Sequence, residues 1–134
     1  DHVLAAKIDQ FIDFATDITV LVANCGVGES PDVKIDLRRE LVAGDLARKL
    51  KILEKNLNEG EKWVVGSQLG LPDIALWRLM GWLSSGMVDG IPVDLLKDFP
   101  KTLKICCAVD GDPKIRAWVK QTYPKDYVRG NFTL

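Results

Sequence analysis

Residues 74–83, IALWRLMGWL, carry a single charged side chain, Arg78. Leu71-Pro72-Asp73 stands before the run and Ser84-Ser85-Gly86 after it, residues suited to starting and stopping a helix. A helix that is apolar all round cannot lie on a surface; other elements have to enclose it. The rest of the chain must therefore supply walls for this one segment.

The flanking sequence has the right periodicity to do so. Leu4, Ile8, Phe11, Ile12, Ala15, Ile18 and Val22 recur at three and four, predicting an amphipathic helix from Leu4 to about Val22. Asn24 to Pro31, with two glycines and a proline, breaks it. Ser30 as N-cap and Pro31 in the first turn open a second helix that runs to Leu57. Its early stripe, Val33, Leu37 and Leu41, is displaced around the axis from its late one, Leu46, Leu50, Leu53 and Leu57, as if its two ends met different neighbours. The stretch GEKWVVGSQLG, residues 60–70, is compatible by period with a strand and is read as an extended connection. Three shorter helical pieces follow, Val93 to Lys97, Pro100 to about Val109 and Pro113 to about Thr122, each with a proline at or near its start. Strand-like alternation is almost absent. The expected fold is all-α, a bundle of five or six helices, and residues 1–134 form one domain with no internal repeat or linker.

Composition narrows the function classes. Eighteen Lys and Arg against nineteen Asp and Glu leave a formal charge of −1, so no net basic field favours nucleic acid or an anionic membrane. No apolar run approaches the roughly 20 residues of a membrane span, and the first residues lack a signal-peptide plan, so a cytoplasmic location is expected. Cys25, Cys106 and Cys107 are an odd number, two of them adjacent, and read as free thiols. With His2 the only histidine and no C-x-x-C pair, neither a metal site nor a histidine-dependent catalytic triad is expected. The chain opens on Asp1 rather than Met, as a fragment or a processed form would.

Asp9, Asp13 and Asp17 in DQFIDFATD follow one another at intervals of four. Like charges so placed are neighbours on a helix and cost about 0.2–0.5 kcal/mol per pair. The column is either a solvated face or one that meets a cation from outside the helix. Trp63, Trp77, Trp82 and Trp118 read as core anchors, and Cys25 as an inert small thiol.

VVGSQLGLPDIALW, residues 64–77, followed by DFPKTLKICCAVDGDPKIRAWV, residues 98–119, resembles the C-terminal helical domain of cytosolic glutathione transferases. Val64, Val65, Gly66, Leu69 and Asp73 fit the pattern that opens that family's core helix. Its physical basis is a capping box, in which the N-cap side chain binds the N3 amide and an acidic N3 residue returns to the N-cap amide. Asp73 occupies N3 and also suits the positive end of the helix dipole. Gly70 stands at the N-cap, so only half of the reciprocal cap is available, at a cost of a few tenths of a kcal/mol.

The resemblance implies roles for other residues. The first helix looks like that of the sigma, pi, mu and alpha classes, and Asp17 matches a carboxylate that reaches across the dimer toward the γ-glutamyl amino group of glutathione. Asp13 matches an acidic position one turn earlier, where some sigma-like members gather a divalent cation; Thr16 stands where those members have a further acid. Val20, Ala23, Asn24 and Val27 fall where the family lines the pocket for the electrophile. Tyr127, Arg129 and Phe132 either fold over the active site, as in several classes, or form a free end. The family's activating Tyr, Ser or Cys lies in a thioredoxin-like N-terminal domain of which this chain has no trace, so no catalytic residue is expected here.

The resemblance thus implies a sigma-like or pi-like transferase, homodimeric, with glutathione as co-substrate, no cofactor, and an electrophilic small molecule as second substrate. The alternative is a non-catalytic interaction or structural module of the same shape. The polypeptide upstream of Asp1 discriminates them: a thioredoxin-like pattern with a cis-proline and a glutathione-loop Ser favours the enzyme.

Overall fold

The computed structural model describes residues 1–133. Six α-helices make up the chain: α1 (His2–Asn24), α2 (Pro31–Leu41), α3 (Ala47–Asn56), α4 (Leu71–Ser84), α5 (Pro100–Asp110) and α6 (Pro113–Thr122). A short 3-10 turn, Leu95–Asp98, precedes α5, and no strand occurs among the described residues. The all-α expectation holds.

α4 is the central element, with Leu76, Met80 and Leu83 wholly buried. α1 and α5 flank it, and α3 closes on α5. Only the later part of α1 meets the core, where Ala15, Ile18 and Val22 are buried, whereas Val3 and Leu4 are exposed. The lengths explain this. At about 1.5 Å per residue, the 23 residues of α1 outreach the 14 of α4 by more than two turns.

The second predicted helix is continuous but contains a π-helical turn, Val42–Leu46, between α2 and α3. A π turn spaces bonded residues by five instead of four. Leu41 and Leu46 are five apart, so the turn absorbs the extra residue and brings the two stripes back toward one face. The early stripe does not find a separate neighbour: Val33 and Leu37 stay exposed, and α2 has no buried residue. Ser30 occupies the N-cap of α2, yet its hydroxyl makes no capping bond; its carbonyl accepts from the Lys34 amide at 2.9 Å. Trp63, in the irregular connection, is buried as a core anchor should be, whereas Trp118 departs from that expectation: it is 47% exposed and meets Tyr123 edge-on at 5.4 Å.

α3 and α5 cap each other. The N-cap of α5 is Phe99, which has no side-chain acceptor. Glu54 of α3 takes that role, accepting from the Lys101 amide at 2.6 Å, the Thr102 amide at 3.0 Å and the Thr102 hydroxyl at 2.8 Å. In return Lys101 Nζ donates to the Leu57 carbonyl at 3.0 Å, just past the end of α3. A carboxylate thus meets the positive end of one helix and an ammonium the negative end of the other. Glu54→Ala is expected to lower stability by about 1–3 kcal/mol, read from the denaturant midpoint. A midpoint unchanged by the substitution would show that the cross-cap contributes nothing.

Candidate functional site

The start of α4 is organised by one buried carboxylate. Asp73 Oδ2 accepts from the Gly70 amide at 2.8 Å, and Oδ1 from the Val64 amide at 2.7 Å. The first bond is the half of a capping box that a glycine N-cap permits; the second ties the irregular connection to the helix. Burial pushes the Asp73 carboxyl up, against the opposing pull of the Val64 and Gly70 amides. Gly70 and Asp73 shape α4 and do not line a cleft with the residues of α1.

Asp17, Val20 and Asn24 come together along an open cleft of about 600 Å³, with Cys25, Leu41 and Lys49 on its other sides. Residues three and four apart share a helix face, which places these three in line. Asp17 is exposed and makes no hydrogen bond or ion pair among the described residues. Asp13 lies one turn earlier, exposed and outside the cleft, as Asp9 is. Ala23 and Val27 are exposed and do not line it; Val27 sits in the loop beyond α1. Among the described residues, no three His, Cys, Asp or Glu side chains gather as metal ligands would.

A second cleft, of about 380 Å³, runs between α1 and α4. Val20 borders both clefts and joins them. Ala75, Leu79 and Trp82 form the α4 wall, and Thr16 and Thr19 the α1 wall. The threonine hydroxyls donate back to the carbonyls of Ile12 at 3.1 Å and Ala15 at 2.8 Å, which satisfies them within the helix. The one charge on this cleft is Arg78.

Arg78 is held by aromatic side chains rather than by an acid. Its Nη2 donates to the Tyr127 hydroxyl at 3.1 Å, and its guanidinium lies 5.7 Å from the Trp77 ring centre and 5.8 Å from that of Tyr123. No carboxylate forms an ion pair with it among the described residues. Sequence reading marked Arg78 only as the lone charge of the core helix. Its position beside Tyr127, 49 residues away, carried no local signal.

Tyr127 belongs to a C-terminal strap that lies along α4, so the tail is packed rather than free. Arg129 donates to Asp110 through Nε at 2.8 Å and Nη2 at 3.0 Å, and Trp77 Nε1 adds a third donor to Asp110 at 3.2 Å. Burial pushes the Asp110 carboxyl up, but the bonds from Arg129 and Trp77 and the charges of Arg129 and Arg116 outweigh it, holding it below the usual range. The Asn131 amide donates to the buried Ser84 hydroxyl at 2.9 Å. At Gly81 the strap backbone comes so near that any Cβ would collide with the Arg129 carbonyl. Phe132 packs against the core beside it.

The family model described as "Glutathione S-transferase, C-terminal domain" matches residues 17–122, and the chain belongs to that family. No curated protein matches it significantly. No helix among the described residues is long and apolar enough to cross a membrane.

Two outcomes test the strap. Gly81→Ala is expected to lose about 1–3 kcal/mol and to abolish exchange protection of the Asn131 amide; retained protection would mean that the strap does not need the missing methyl. Because the folded Asp110 carboxyl lies below its unfolded value of about 3.9, its contribution is complete above that pH and is lost as pH falls through the folded value. Protection of the strap should therefore be flat above about pH 5 and fall below about pH 4, a step that Asp110→Asn removes. An identical acid profile in that variant would show that the Arg129 pair does not hold the strap.

Proposed function

We propose that the chain is the C-terminal domain of a sigma-like or pi-like glutathione transferase, a cytoplasmic homodimer that joins the thiol of glutathione to electrophilic small molecules. Attack by the sulfur requires a donor that stabilises the thiolate, and the thioredoxin-like domain is its source. This chain's part is recognition. The Asp17 carboxylate accepts from the γ-glutamyl ammonium of glutathione bound in the partner subunit, with Asp13 adding negative charge one turn away. Val20 and Asn24 form the wall that the electrophile meets, with Ala23 and Val27 exposed beyond it, and the α1–α4 cleft extends that wall from Val20 toward Arg78.

The observation that carries this reading is Asp17 itself. An exposed carboxylate without a partner among the described residues lines an open cleft, at the residue where the family match begins. Three aspartates stacked on one helix, with no ion pair among the described residues, fit a face that receives a cation from outside.

In the complete dimeric enzyme, Asp17→Ala should weaken glutathione binding about tenfold or more, the magnitude of one charge-assisted hydrogen bond. Unchanged affinity would remove Asp17 from the site. The 134-residue chain alone should show no tight glutathione binding by calorimetry; tight binding would place the main site in this domain. A thioredoxin-like domain without an activating residue upstream would instead make the protein a non-catalytic interaction module.

A further inference from the structure

A third cleft, of about 260 Å³, lies between α6 and the strap. It lies on α6 and the strap, and Arg116, Lys120 and Lys125 on it have no part in the transferase reading. Arg116 and Lys120 of α6 and Lys125 and Arg129 of the strap line it, together with Tyr123 and Tyr127, and no carboxylate does. The charge is local. From Pro113 to Gly130 the chain carries Lys114, Arg116, Lys120, Lys125 and Arg129 against a single acid, Asp126, although its formal charge as a whole is −1.

Three of the four lining cations are uncommitted or nearly so. Arg129 is neutralised by Asp110. Arg116 uses only Nε, on the Asp110 carbonyl at 3.3 Å, and Lys120 and Lys125 form no hydrogen bond or ion pair among the described residues. The walls are fixed in advance. Tyr123 and Tyr127 stack with centres 4.2 Å apart and planes 9° from parallel, the Tyr127 amide donates to the Pro124 carbonyl at 3.1 Å, and the Arg129–Asp110 pair anchors the far side. The Tyr127 hydroxyl accepts from Arg78, which leaves its own hydrogen to donate.

We propose that this cleft is a binding site for a phosphate-type oxyanion, either inorganic phosphate or the phosphate of a small monoester, held by Arg116, Lys120 and Lys125. A planar guanidinium and two ammonium groups lining one small cleft offer donors for several oxygens of one anion, and preset walls reduce the ordering that binding requires. A larger polyanion is disfavoured, because the cations border one small cleft.

The test uses the 134-residue chain, followed by amide NMR and thermal melting against inorganic phosphate and, separately, phenyl phosphate, with chloride at matched ionic strength as the control. Saturable shifts confined to residues 116–129, with a melting rise that chloride does not reproduce, are the expected result. The double variant Lys120→Ala/Lys125→Ala should weaken binding about tenfold or more, while Lys7→Ala/Lys55→Ala, on distant surfaces, leaves it unchanged. Both pairs are exposed, so the fold should persist, which circular dichroism checks. Tighter binding of phenyl phosphate identifies a monoester as the ligand, and equal binding identifies the free anion. A response no larger than that to chloride, a response the double variant retains, or binding seen only with RNA overturns the proposal.

Discussion

The carboxylate of Asp73 joins two parts of the chain that the sequence keeps separate. One oxygen takes the amide of the residue that starts α4, and the other takes an amide from the connection nine positions before it. Because the group is fully buried, leaving either amide without an acceptor would expose an unsatisfied donor to the core at a cost of about 1–3 kcal/mol. The direction in which α4 enters the bundle is therefore set together with the path of residues 60–70. A glycine N-cap is tolerated here because the carboxylate, not the cap side chain, supplies the acceptor.

Once α4 is placed, its apolar surface dictates what surrounds it. α1 covers one side with its later turns and α5 another, and the strap takes the space that Gly81 leaves open. The strap is held by polar contacts more than by apolar burial: a two-point Arg129–Asp110 pair, the Ser84 hydroxyl, and Tyr127 on Arg78. This explains how a segment without regular structure follows one course. It also places three of the chain's cations, Arg78, Arg116 and Arg129, around one end of the bundle, where the only compensating carboxylate among their contacts is Asp110.

Local pattern reveals an element well when its periodicity and its burial coincide. α4, α5 and α6 could be read almost to the residue because proline, glycine and apolar spacing all mark the same boundaries. The π turn could not be read as such, although its trace was visible as a five-residue step from Leu41 to Leu46; an exposed stripe and a stripe facing a second neighbour have the same spacing. Trp118 differs from its core-anchor reading for a related reason: helical context does not fix burial. Trp63 is buried as expected, in an irregular segment that Asp73 pins. In the cleft of Asp17, the i, i+3 and i+7 relation to Val20 and Asn24 is written in the helix, whereas Leu41 and Lys49 arrive from α2 and α3.

What the sequence alone determined is the set of local facts: which segments are helical, where α2, α4, α5 and α6 begin, that residues 74–83 must be enclosed, and that three aspartates share one face. Those follow from backbone propensity and side-chain period, which act over a few residues. Only the tertiary structure decided which charges are answered and which are not. Glu54 and Lys101, Asp110 and Arg129, and Arg78 and Tyr127 are pairs separated by between 19 and 49 positions, and their meeting depends on how helices pack. The aspartate column stayed unanswered among the described residues while these distant groups found partners, because α1 turns that face outward and the core turns the others together.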